Sequence, residues 1–165
     1  MIKIVKNFLN LTTINKITDY VNDHVDQYKW TSNLNWDKRI VKSSAQVSVL
    51  GLNENLKEEI CQKIFKENKK FKEYDLRVIF YVWHRFSHIP FHDDHDYEFG
   101  ATIYLNETWE QDWGGLFLYK ENKNNKFFIP EFNSCVFNFN KTIHAVSMTT
   151  ADAPYRTTIQ IFAKK

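Results

Sequence analysis

From residue 76 onward the chain is a succession of short β-rich runs cut by turns, and this pattern limits the fold more than any other feature. Leu76 to Trp83, Phe99 to Leu105, Leu116 to Tyr119, Phe127 to Ile129, Cys135 to Phe139, Ala145 to Met148 and Arg156 to Phe162 are rich in β-branched and aromatic residues. Gly114-Gly115, Asn122 to Asn125, Pro130 to Asn133 and Ala151 to Pro154 supply turn chemistry between them. Ala45 to Leu50 adds a strand upstream, with Trp30 and Trp36 in the loop before it. Seven or eight short strands at this spacing predict a sandwich or barrel, in the form of a jelly roll. The Lys/Asn-rich stretch from Lys120 to Lys126 reads as a solvated hairpin tip, and no internal repeat is present.

Two amphipathic helices precede the strands. From Thr12, the apolar positions Ile14, Ile17, Val21 and Val25 recur at three and four residues, which predicts a helix ending near Tyr28. A second helix, from about Asn55 to Asn68, carries the stripe Leu56, Ile60 and Ile64, with Cys61 and Phe65 beside it. Glu58 and Glu59 near its start and Lys66, Lys69 and Lys70 near its end complement the helix dipole. At 165 residues the chain can bury one full core, whereas two separate halves would each be marginal. The expected architecture is mainly β, a single domain over 1–165. A helical lead-in spans about 1–75 and a double-stranded β-helix (jelly-roll) core about 76–165, with the helices packed on one sheet.

Composition removes several classes of function. Lys+Arg 22 against Asp+Glu 20 leaves a net charge of +2, too balanced for the basic footprint of a nucleic-acid binder. No run reaches the roughly 18 to 20 apolar residues of a membrane span. The opening Met1-Ile2-Lys3-Ile4-Val5-Lys6 has neither a long apolar stretch nor a small-residue cleavage site. No membrane partner is therefore expected, and a cytoplasmic location is. Cys61 and Cys135 have no metal or redox spacing and read as reduced core thiols. With only 2 Cys beside 6 His, a metal would have to be held through His and carboxylate.

Four of the histidines, His84, His88, His92 and His95, fall within twelve positions. A single His in such a loop is ordinarily just polar. In Phe91-His92-Asp93-Asp94-His95-Asp96, however, an extended backbone would point His92 and Asp94 to the same face. An imidazole and a carboxylate then share one space, and a third ligand would complete the facial triad that holds non-haem Fe(II). Outside the cluster only His24 and His144 remain. His24 sits among polar neighbours on the first helix, and a lone His at a strand start, like His144, is by itself more often structural. Arg156 heads the last strand, where alternation places Arg156, Thr158 and Gln160 on one face and Ile159 and Ile161 on the other. A guanidinium fork with a hydroxyl two residues on suits a carboxylate inside a barrel. The plain alternative is a surface arginine in a salt bridge.

Taken in order, His-x-Asp, a strand, a distal His and an Arg on the last strand resemble the 2-oxoglutarate- and Fe(II)-dependent oxygenases, in particular the prolyl-4-hydroxylase-like branch. The matching text is Phe91-His92-Asp93-Asp94, Ala101-Thr102-Ile103-Tyr104-Leu105-Asn106, Trp113-Gly114-Gly115-Leu116, Ile129-Pro130, Val136-Phe137, His144-Ala145-Val146 and Arg156-Thr157-Thr158-Ile159. Ile4 to Leu9 also looks like the lead-in strand and first helix of that branch, so the resemblance covers nearly the whole chain. It implies His92, Asp94 and His144 as iron ligands. It also implies that Arg156 pairs with the distal carboxylate of 2-oxoglutarate, that Tyr104 adds a phenol hydrogen bond, and that Thr158 serves the same end of the cosubstrate. The implied reaction consumes O2 and 2-oxoglutarate, releases succinate and CO2, and hydroxylates a C–H of a peptide or small molecule, with ascorbate as an optional reductant. A prolyl or proline-like target is the first expectation. Other amino acids, a nucleobase, a lipid or a sugar group are alternatives, as is a non-catalytic cupin-like metal-binding module. An intact Arg156 weighs against that module. Tyr81 to Pro90 is bulky and lacks the glycines common in the branch, and either Tyr81 or Trp83 can take the place of its tyrosine near the cosubstrate. The sequence leaves the substrate and the oligomeric state open.

Overall fold

Both helices start where a side chain can cap them. Asn10 accepts from the Thr13 N–H at 2.8 Å to open α1 (Leu11–Asp23), and Asn53 accepts from the Leu56 N–H at 3.0 Å to open α2 (Glu54–Glu67). The computed structural model describes residues 1–27 and 46–165, together with the backbone of Lys29–Thr31. Trp36, Ala45 and Tyr28 lie outside the described residues. The first helix stops at Asp23, short of the expected end, and Val25 sits 70% exposed in a following 3-10 turn. Its buried apolar stripe therefore ends at Val21.

The strands are β1 (Ile2–Val5), β2 (Lys29–Thr31), β3 (Val47–Gly51), β4 (Asp75–Trp83), β5 (Ile89–His92), β6 (Phe99–Tyr104), β7 (Phe117–Glu121), β8 (Asn124–Phe128), β9 (Cys135–Phe139), β10 (His144–Val146) and β11 (Arg156–Lys164). Among the described residues they form a seven-stranded sheet in the order β1-β9-β6-β11-β4-β3-β2 and a four-stranded sheet in the order β5-β10-β7-β8. All of these pairings are antiparallel. The architecture is the expected double-stranded β-helix. Trp30, expected in a loop, lies in β2 and pairs with Ser48.

Strand alternation divides the large sheet into two working faces. Ile159 and Ile161 of β11, with Val78, Phe80, Ile103 and Phe137 from neighbouring strands, meet Ile14, Ile17, Leu56, Ile60 and Ile64 of the helices in the main core. Arg156, Gln160 and Phe162 face the other way, into a cavity between the sheets. Two smaller clusters, Val47, Tyr81, Trp83 and Ile89 on one side and Tyr104, Phe117 and Val136 on the other, join the sheets around that cavity. The large sheet is thus a rigid wall, anchored from behind by the helices.

Candidate active site

The pairing of β5 with β10 sets His92 directly opposite His144, with ring centroids 4.2 Å apart. Asp94 joins them by a different route from the one the sequence suggests. His92 is the last residue of β5, and Asp94 lies in a turn closed by the Tyr97 N–H on the Asp94 carbonyl at 2.8 Å. That turn folds the carboxylate back over β6, where it meets Gly100. A Cβ on Gly100 would stand 3.0 Å from Asp94 Oδ2, so a bare backbone is what seats the carboxylate. The result places His92 Nε2 3.6 Å from Asp94 Oδ1 and His144 Nε2 3.7 Å from Asp94 Oδ2. One ligand atom from each residue lies within 4.8 Å of the others, a group able to hold a metal ion.

Backbone carbonyls orient both imidazoles. The His92 Nδ1 is 2.8 Å from the Pro90 carbonyl and the His144 Nδ1 2.9 Å from that of Thr142. A carbonyl can only accept, so each ring carries its proton on Nδ1 and leaves the Nε2 lone pair for an ion. Burial lowers the pKa of His144, which keeps it neutral and ready to ligate. Burial also pulls on His92, but the adjacent Asp94 carboxylate and the Pro90 carbonyl together hold it above its ordinary value. For Asp94, burial is outweighed by the neighbouring His92 and His144, and its pKa is lowered.

Arg156 opens the same cavity further down β11. It is 3% exposed, donates from one terminal nitrogen to the Gly115 carbonyl at 2.6 Å and stacks its guanidinium over Trp83 at 5.0 Å. Its Nε has no hydrogen-bond partner, and among the described residues no carboxylate forms a salt bridge with it. A buried cation without a counterion is costly unless an anion completes it. The Tyr104 phenol is 2% exposed on the cavity wall, and burial pushes its pKa up to about 12, so it remains a donor at neutral pH. Thr158 is fully buried, and its Oγ1 accepts from Trp83 Nε1 at 2.9 Å and from Gln160 Nε2 at 3.0 Å. Gln160 in turn accepts from Thr102 at 2.9 Å, so a hydrogen-bonded row links Trp83, Thr158, Gln160 and Thr102, of which Thr158 alone does not line the cavity. Of the two aromatic candidates near the cosubstrate, Trp83 lines the cavity and Tyr81 packs behind it.

The remaining histidines go elsewhere. His84 shares a hydrogen bond with Ser48 at 2.9 Å, and His95 contacts Asp96 at 3.2 Å on the surface. His24 sits at the α1 C-terminus, its Nδ1 on the Tyr20 carbonyl at 2.8 Å. Neither His84, Arg85 nor His88 lines the cavity. Sequence reading missed Gly100, Gly115 and Asn138. Asn138 had a signal, being a polar residue inside the apolar run Val136-Phe137-Asn138-Phe139.

The donor set of two imidazoles and a carboxylate suits a non-haem Fe(II) ion, and a buried guanidinium with no carboxylate partner among the described residues suits a carboxylate ligand. A family model of the 2OG-Fe(II) oxygenase superfamily matches residues 70–164, more than half of the chain. The chain belongs to this superfamily. It is an oxidoreductase of a family that uses Fe(II) and 2-oxoglutarate. Solved structures similar to the oxygenase include a Pseudomonas putida prolyl-4-hydroxylase at 15% identity and a TM-score of 0.70, covering 99% of this chain and 92% of that one. Another is a Trichoplax adhaerens prolyl hydroxylase in complex with a hypoxia inducible factor peptide fragment, at 18% identity and a TM-score of 0.72, covering 98% and 82%. The α-ketoglutarate-dependent epimerase SnoN of nogalamycin biosynthesis is also similar, at 8% identity and a TM-score of 0.67, covering 99% and 77%. No curated protein matches the oxygenase by sequence. Among its described residues no helix is long and apolar enough to cross a membrane.

Proposed function

We propose that this oxygenase hydroxylates an unactivated C–H of a prolyl residue or proline-like substrate, with residues 1–165 acting as one catalytic domain. The observation that carries the reading is the uncompensated Arg156, buried in the same cavity as the His92, Asp94 and His144 group. In this reading His92 and His144 give Nε2 lone pairs and Asp94 gives one carboxylate oxygen to the iron. Arg156 receives the distal carboxylate of 2-oxoglutarate, Tyr104 donates its phenol proton to the same group, and Thr158 steadies that end of the site. Fe(II) with 2-oxoglutarate supplies the oxidative chemistry, in which O2 converts the cosubstrate to succinate and CO2 and inserts an oxygen atom into the substrate. The apolar wall of Trp83, Ile89, Phe117 and Val146 keeps bulk water away from the reacting groups. A purely metal-binding module has no use for a buried guanidinium at this position. Cys61 and Cys135, both free thiols, suit a reducing compartment such as the cytoplasm.

The likeness to prolyl hydroxylases, one of them holding a peptide, favours a peptide target. The test is to incubate the protein with Fe(II), 2-oxoglutarate and a panel of proline-containing peptides and free amino acids. Succinate release together with a mass gain of one oxygen on a prolyl member is expected. Succinate release with oxygen transferred only to non-prolyl members would overturn the prolyl assignment and keep the chemistry.

A further inference from the structure

Asn138 touches two members of the candidate metal group at once. It is 4% exposed on β9, where it pairs with Gly100, and its side chain lines the cavity. Its Nδ2 stands 3.3 Å from Asp94 Oδ2, 3.2 Å from the Thr142 carbonyl and 3.0 Å from His144 Nδ1. The Thr142 carbonyl also receives the His144 Nδ1 proton at 2.9 Å. Because that proton occupies Nδ1, the amide cannot donate there, and its two hydrogens go to Asp94 and to Thr142. Rotating the amide by 180° would set an oxygen against Asp94 Oδ2, which is repulsive. The Asn138 Oδ1 is left fully buried without a partner. A neutral amide kept at that cost, where an apolar residue would fill the space, points to a use for its N–H group.

We propose that Asn138 is a positioning residue for the metal. It holds the Oδ2 of Asp94 beside Gly100, so that Oδ1, on the His92 side, is the oxygen presented to the ion. It also braces the Thr142 carbonyl that fixes the ring orientation of His144. The inference rests on the metal-centre reading above but assigns a role to a residue outside the ligand set. The probe is Mn(II), a redox-inert stand-in for Fe(II), titrated by calorimetry into wild type, Asn138→Leu and Asn138→Asp. Co(II) absorption, which responds to coordination number and geometry, is recorded alongside.

Both variants are expected to bind Mn(II) at least about tenfold more weakly, as for other groups that orient metal ligands. Their Co(II) spectra should differ from wild type, while the metal-free melting temperature of Asn138→Leu stays close to it. Asn138→Asp is the sharper variant for the metal: it keeps the native shape but sets an oxygen against Asp94 Oδ2, so a lower metal-free melting temperature is expected for it as well. Simple addition of negative charge would strengthen cation binding, whereas loss of the N–H bond to Asp94 weakens it. Equal or tighter Mn(II) binding by Asn138→Asp, with an unchanged Co(II) spectrum, would overturn the proposal. Failure of the wild type itself to bind Mn(II) would instead remove the metal-centre reading on which it rests.

Discussion

At the residue scale, the site depends on a few positions where a side chain is missing or unpaired. Gly100 has no Cβ, and the methyl of Gly100→Ala would stand 3.0 Å from Asp94 Oδ2. The carboxylate, at the end of a flexible side chain, can retreat by a few tenths of an ångström but must leave its seat to do so. Gly100→Ala is therefore expected to leave the melting temperature nearly unchanged and to weaken Mn(II) binding several-fold, read by thermal melting and calorimetry on the same sample. A large loss of stability with unaltered metal affinity would contradict that role for Gly100. His92, Asp94, His144 and Arg156, the residues proposed to carry the chemistry, stood out in the sequence through the His-x-Asp spacing and through the order of blocks that resembles the oxygenases. Gly100 and Asn138 did not, because their roles depend on a turn that brings Asp94 over β6. His-x-Asp spacing alone suggests a strand that would place the pair together without either residue.

At the element scale, the connection before β7 ties the two ends of the cavity wall together. Gly114 has φ +70°, and a Cβ there would lie 2.0 Å from the Met148 carbonyl oxygen, across the bridge it forms with Thr149. Gly114→Ala can neither keep that backbone nor avoid the clash, so a loss of about 2 kcal/mol or more is expected in urea denaturation. Since the next residue, Gly115, accepts from Arg156, the same change should also weaken 2-oxoglutarate binding. Strands with β-branched and aromatic alternation, such as β4, β9 and β11, were legible almost to the residue. β5 was hidden by Pro90, which breaks a strand pattern but is tolerated at the edge of the four-stranded sheet. The run Phe127 to Ile129 caught only the end of β8; its first residues, read as part of a hairpin tip from Lys120 to Lys126, were hidden by polarity, since Asn124 to Phe127 are exposed and the tip is only Asn122-Lys123. The strand character of β8 comes from pairing with β7, which local sequence does not express.

At the scale of the whole molecule, the helices fix the large sheet and the sheet carries the floor of the site, so stability and function share one scaffold. Burial pushes the Cys61 thiol up to about 11, the Tyr104 phenol up to about 12 and the Cys135 thiol well above its usual range. The folded state therefore holds these protons more tightly than the unfolded chain. Their contribution to stability is fully present below pH 9, the ordinary thiol value, and is lost as pH rises through the folded values. Urea midpoints measured on metal-free protein should fall steadily above pH 9, and Cys61→Ala with Cys135→Ala should make the fall shallower. A midpoint that rises over that interval would contradict the burial of these groups. One cavity joins the candidate metal group to a buried cation suited to a carboxylate. Calorimetric titration of 2-oxoglutarate into the Mn(II)-loaded protein and into its Arg156→Leu variant tests this most directly. Metal-dependent binding by the wild type is expected, with a loss of about a hundredfold or more in the variant and unchanged Mn(II) affinity. Equal 2-oxoglutarate affinity in the two proteins, or binding that ignores the metal, would contradict it.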